Sequence, residues 1–145
     1  MKKFLFFSII LLFTMPTQAQ STKAIQEVKK LLHTQSQDWN TGNIEAFMEG
    51  YWKSEKLQFI GSSGVTYGWE STKANYKKGY PNKSAMGHLS FKLLGVDVQS
   101  KKVVSVTGQY ILKRENGEVL TGYFLLIIKK IKKKWLIIAD HTSAS

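Results

Sequence analysis

The sequence predicts an α+β domain in which about three N-terminal helices precede a curved antiparallel sheet. Two observations carry this. Apolar residues recur at helical spacing only in the first half of the chain, and from Met86 onward they alternate in long segments separated by turn residues. Helices grouped ahead of antiparallel strands give segregated layers rather than alternating βαβ units.

Each element has its own signal. Ile25, Val28, Leu32, Gln35 and Trp39 form one stripe, which predicts a helix from Ser21 to about Asn40. Asn40-Thr41-Gly42-Asn43 ends it, and Asn43 is placed to cap a second helix over Ile44 to Trp52. Leu57 to Ile60 and Val65 to Tyr67 read as short strands around the turn residues Gly61-Ser62-Ser63-Gly64. Trp69 to about Tyr80 reads as a third helix, stopped by Pro81. Between Leu89 and Val98 the alternation changes phase, which predicts a bulge at Leu93-Leu94-Gly95. Val103 to Glu115 and Val119 to Lys130 are strands joined at Asn116-Gly117, read as a type I′ hairpin. A second turn over Ile131 to Lys134 leads into a last strand, Trp135 to Ser143.

These turns set a register. With Asn116-Gly117 and Lys132-Lys133 as two-residue turns, Tyr110 falls opposite Tyr123, Gln109 opposite Phe124, and Phe124 opposite His141. Ser105, Thr107, Gln109, Ile111, Phe124, Leu126, Ile128, Ile137, Ala139, His141 and Ser143 then share one face. That face is apolar with a few convergent polar groups, the chemistry of a ligand pocket. The opposite face, with Val104, Val106, Tyr110, Tyr123, Leu125, Asp140 and Thr142, is also mostly apolar. An apolar outer face calls for a cover, and a second copy of the chain is the simplest one.

Composition narrows the chemistry. The 145 residues contain no cysteine, which excludes disulfides, thiol nucleophiles and Cys-ligated metals. His33, His88 and His141 lack metal-ligand spacing, and no Gly-rich phosphate fingerprint follows a strand, so no metal and no cofactor is expected. The net charge is +11, and Lys129 to Lys134 holds five lysines around Ile131. With a single arginine the chain is not expected to bind nucleic acid. The lysine run reads as a solvated turn or as a contact for an anionic surface.

Residues 1–19 read as a secretory signal peptide. Lys2 and Lys3 precede the apolar run Phe4 to Phe13, and Thr17-Gln18-Ala19 offers small residues for cleavage after Ala19. The run is shorter than the ~20 residues a spanning helix needs. The expectation is an exported protein, periplasmic or secreted, with one domain over residues 20–145 and no transmembrane segment.

Several segments together resemble the nuclear transport factor 2-like (NTF2-like) superfamily. They are Asp38-Trp39-Asn40-Thr41-Gly42-Asn43-Ile44-Glu45-Ala46-Phe47, Tyr67-Gly68-Trp69, Gly108-Gln109-Tyr110, Gly122-Tyr123-Phe124 and Trp135 through Ser143. Within that superfamily the chain is most similar to the SnoaL-like branch known as domain of unknown function 4440. The resemblance implies a cone-shaped, cystatin-like α+β barrel with an internal pocket, often dimeric through the sheet. It implies no single activity, since members include ketosteroid isomerases, polyketide cyclases and proteins without catalysis.

The expected pocket comprises Gln35, Trp39 and Phe59 from the helical side with Thr107, Gln109, Phe124, Leu126, His141 and Ser143 from the sheet. The expected function is to bind a small apolar or amphipathic molecule, in a homodimer formed through the outer sheet face. His141 is the candidate general acid/base for an alternative isomerase, lyase or hydrolase reading, because imidazole both donates and accepts near neutrality. A dimeric module that binds anionic surfaces is the third reading.

Overall fold

A computed structural model describes residues 17–144; the apolar run assigned to a signal peptide lies outside the described residues. The elements are α1 (Thr17–Asn40), α2 (Ile44–Met48), β1 (Gln58–Gly61), β2 (Gly64–Tyr67), α3 (Trp69–Gly79), α4 (Lys83–Met86), β3 (His88–Ser100), β4 (Val103–Lys113), β5 (Val119–Ile131) and β6 (Lys134–Ala144). One curved, unclosed sheet runs in the order β2-β1-β6-β5-β4-β3. All pairs are antiparallel except β1 with β6, a non-local parallel pair.

Helix α1 buries Ala24, Val28, Leu32, Gln35 and Trp39 against the sheet. Asn40 fixes its C-terminal end by bonding both backbone groups of Leu89 at the start of β3. Asn43 caps α2 as its position predicts, accepting from the Ala46 N–H. That helix is shorter than expected. Gly50 and Trp52 bond to Ile137 of β6, which draws the chain into an extended bridge at Tyr51. A one-turn helix, α4, was not predicted; it rests on an Asn82 cap and is too short to show a period.

The bulge at Leu93-Leu94-Gly95 is present, and a second irregularity lies between Val98 and Ser100. Bulges bend a strand and increase its twist.

Two register expectations need correction. At the first hairpin the Gly117 N–H donates to the Arg114 carbonyl, Arg114 bonds Glu118, and Gly117 takes φ +86°. This is a three-residue turn closed by a left-handed glycine, not a two-residue type I′ turn. The extra residue moves every pair by one, so Gln109 faces Tyr123, Gly108 faces Phe124 and Tyr110 faces Gly122. The second hairpin does begin as expected. Lys132 and Lys133 take φ 46° and 69°, Ile131 pairs with Lys134, and Ile128 pairs with Ile137. A bulge at Ile138 then shifts the rest of β6, so Ile127 pairs with Ala139, Leu125 with His141 and Phe124 with Thr142.

The period of two turns each one-residue shift into an exchange of faces. Val104, Val106, Tyr110 and Leu112 lie on the helical side of β4, with Phe124, Leu126 and Ile128 beside them on β5. On β6, Trp135 and Ile137 are buried before the bulge and Asp140 after it. Gln109, Thr107, His141 and Ser143 lie on the outer face.

Candidate functional site

A cavity of about 410 Å³ lies between the helices and the concave face of the sheet. Its walls are mainly aromatic, with Trp39, Phe47, Tyr51, Phe59, Tyr76, Tyr80, Phe91, Tyr110 and Phe124 all contributing. The indole N–H of Trp39 donates to the Met86 carbonyl at 3.0 Å, and that of Trp69 to the Met48 carbonyl at 2.9 Å. Both donors are therefore spent on holding the helical layer together.

Two glycines shape the sheet side. A Cβ on Gly108 would sit 2.3 Å from the Phe124 ring, and one on Gly122 would sit 2.5 Å from the Tyr110 ring. Each aromatic thus lies over the glycine directly across from it, with Gly108 paired to Phe124 and Gly122 to Tyr110. The rings lie down along the sheet because no side chain opposes them, and this leaves the volume above them open.

Gln35, Ser62, Ser63, Thr72 and Asn75 also line the cavity, and a linked polar cluster is built around Asp140. Asp140 is buried, and its carboxylate accepts from the Tyr51 hydroxyl at 2.7 Å and from the Thr142 hydroxyl at 2.7 Å. The Tyr51 and Tyr76 hydroxyls are 3.3 Å apart. Since Tyr51 gives its proton to Asp140, Tyr76 donates to Tyr51 in this arrangement. Tyr76 comes from α3 and its ring touches Trp39, Phe47, Tyr51, Phe59 and Tyr80. Three remote segments therefore converge: Tyr51 from the bridge after α2, Tyr76 from α3, and Asp140 from beyond the β6 bulge.

Burial dominates the electrostatics of this cluster. It pushes the Asp140 carboxyl above the usual carboxylate range, against the lowering effect of the Tyr51 and Thr142 hydrogen bonds. Burial, reinforced by the negative charge of Asp140, pushes both the Tyr51 and Tyr76 phenols well above their ordinary value. A carboxyl so placed can take or give a proton closer to neutrality than an exposed aspartate can.

The expected site residues divide into two groups. Gln35, Trp39, Phe59, Phe124 and Leu126 line the cavity. Thr107, Gln109, His141 and Ser143 do not; they share the outer face, and Thr107, His141 and Ser143 are exposed. The three-residue turn explains Thr107 and Gln109, and the Ile138 bulge explains His141 and Ser143. Asp140, Thr142 and Tyr110 take the inward places that sequence reasoning gave to their neighbours. Tyr51 and Tyr76 lie outside the expected site; nothing local in the sequence links them to Asp140.

An NTF-2 like protein of unknown function from Shewanella oneidensis MR-1 is 37% identical, covers 83% of this chain and 98% of its own, and superposes with a TM-score of 0.80. The chain belongs to the NTF2-like family. Other solved structures share the fold at lower identity. A ketosteroid isomerase-like protein from Erwinia carotovora atroseptica SCRI1043 is 13% identical over 84% of this chain and 96% of its own, with a TM-score of 0.68. A putative calcium/calmodulin dependent protein kinase II association domain from Xanthomonas campestris is 19% identical over 83% of this chain and 86% of its own, with a TM-score of 0.64. No family model and no curated protein matches this NTF2-like chain.

Proposed function

We propose that this NTF2-like domain binds a small, largely apolar molecule carrying one carbonyl or hydroxyl group. The observation that supports this reading is the Asp140–Tyr51–Tyr76 chain of hydroxyl and carboxyl groups in a cavity rich in aromatic rings. Its volume of about 410 Å³ falls within the range of small-molecule sites. The apolar body of the ligand would displace water from the rings, and its polar group would exchange hydrogen bonds with Tyr76 or Asp140.

A second reading is favoured by the same cluster. A buried carboxyl with a raised pKa, joined to two phenols, is equipped for proton transfer to or from a bound molecule. If the domain is an isomerase, lyase or hydrolase, Asp140 rather than His141 is the acid/base group, because His141 points away from the cavity.

Quenching of Trp39 fluorescence by small phenols and ketones tests the binding reading. Saturable quenching is expected. Tyr76→Phe should weaken it about tenfold, the value of one hydrogen bond near 1.4 kcal/mol. His141→Ala should leave it unchanged. Saturation that survives Tyr76→Phe and is lost in His141→Ala would overturn the assignment of the site to the cavity.

Export and self-association complete the proposal. Cleavage after Ala19 would leave α1 from Gln20 onward and retain Ala24, the first buried residue of the core. The outer face of the sheet exposes Tyr123 and Leu125 beside the half-exposed Ile111, Ile127, Leu136 and Ile138, an apolar surface that a second copy would cover.

A further inference from the structure

We propose that the lysine-bearing end of the sheet docks on an anionic lipid bilayer. This inference is independent of what the cavity holds. The turn Lys101-Lys102 between β3 and β4 lies beside the turn Lys132-Lys133 between β5 and β6, because the Lys130 N–H donates to the Lys102 carbonyl at 2.8 Å. Lys129, Lys130 and Lys134 flank the second turn, so residues distant in sequence make one cationic surface.

Carboxylates are distributed differently. Among the described residues, Lys53, Lys73, Lys77 and Arg114 meet acidic partners elsewhere on the domain. At the lysine end the ion pair is Lys130 with Glu27 at 3.0 Å, and Glu27 also accepts from the Trp135 indole. Seven lysines, Lys101, Lys102, Lys129, Lys130 and Lys132 to Lys134, thus gather where the two turns meet.

The choice of residues at the second turn is informative. Lys132 and Lys133 both occupy the left-handed region, where asparagine or glycine would be relaxed. Their identity opposes the local backbone preference, which points to a use for the side chains.

Helix α1 runs from the lysine end to the opposite end of the sheet. Asn40 bonds Leu89 at the far end of the sheet, whereas Glu27 reaches Lys130 and Trp135 at the lysine end. The helix therefore enters the domain at the lysine end. Seven lysines gathered at one end match the negative charge of an anionic headgroup surface. Lysines act as point charges that suit a diffuse phosphate surface, and the one arginine, Arg114, pairs with Glu118 at the opposite hairpin.

Co-sedimentation with vesicles tests the proposal, using the chain from Gln20, which retains the buried core from Ala24 to Ile137. It should bind phosphatidylcholine vesicles containing phosphatidylglycerol and release them between ~50 and ~200 mM salt. Lys132→Asn with Lys133→Gly places better turn formers in the same conformation, so folding is not at risk. This variant should bind about 25-fold more weakly, roughly fivefold per lysine. Lys53→Asn with Lys77→Asn, which removes equal charge elsewhere, should bind like the parent. Equal binding to phosphatidylcholine alone, an equal loss in the two variants, or tighter binding to a DNA oligomer or heparin than to the anionic vesicles would overturn the proposal.

Discussion

Tyr51 donates its phenolic proton to Asp140 across 2.7 Å, joining the segment after α2 to the final strand inside the core. This bond depends on two local irregularities. The bridge of Tyr51 to Ile137 draws the chain out of α2, and the bulge at Ile138 turns Asp140 inward. Remove either and the hydroxyl and the carboxylate no longer meet.

The raised pKa of Asp140 makes stability depend on pH with a defined sign. The folded state holds the Asp140 proton more tightly than the unfolded chain, whose aspartates titrate near ~3.9. Its stabilising contribution is therefore full below that value and declines as pH rises through the higher folded pKa. Asp140→Asn is neutral throughout and lacks this decline. Urea unfolding of both proteins from acid to neutral pH should show the parent losing ground to the variant as pH rises. A difference that does not vary with pH would contradict the assignment.

Tyr51→Phe removes a donor to a buried carboxylate and should destabilise the fold by about 1–3 kcal/mol. The Asp140 carboxyl should then titrate higher still, since the Tyr51 hydrogen bond lowers its pKa. Carbon-detected NMR titration of the Asp140 carboxyl would record the shift.

The two glycines beneath the aromatic rings should differ in tolerance. At Gly108 an added methyl meets the rim of the Phe124 ring, which can tilt into the cavity. At Gly122 it meets the Ser143 carbonyl at 1.9 Å, which is backbone of the neighbouring strand. Gly108→Ala is expected to cost about 1–3 kcal/mol and to reduce ligand affinity by narrowing the cavity. Gly122→Ala should cost more, because β5 and β6 must separate. Thermal unfolding of both variants ranks them.

Self-association through the outer face can be read directly from mass in solution. Leu125→Glu places a charge in the centre of the exposed apolar strip without touching the cavity, since Leu125 faces outward beside His141. Sedimentation equilibrium should show a dimer for the parent and a monomer for the variant. A parent that stays monomeric at high concentration would remove the second copy as the cover of this face.

Much of the architecture was legible because it follows from local periods. The α1 stripe, the Asn43 cap, the phase change at Leu93-Leu94-Gly95 and the alternation of the long strands each state their structure within a few residues. The candidate site was legible only in part. Gln35, Trp39 and Phe59 belong to the helical layer and β1, whose inward faces do not depend on hairpin register. Phe124 and Leu126 lie inward as well, because the slip at the first hairpin moved β4 against them. Thr107, Gln109, His141 and Ser143 were misplaced by one residue each, which in a strand means the opposite face.

The sequence by itself determined the α+β order of elements and the lysine-rich turn, since each is a property of neighbouring residues. Only the tertiary structure decided which polar groups face the cavity. A three-residue turn and a two-residue turn can both be built around Asn116-Gly117, and the Ile138 bulge has no distinct signature in the alternating run Trp135 to Ser143. The choice between registers is made by packing. Val104, Val106 and Tyr110 on the helical side bury more apolar surface than Ser105, Thr107 and Gln109 would, which sets β4 against β5, while the Ile138 bulge carries Asp140 inward and His141 out.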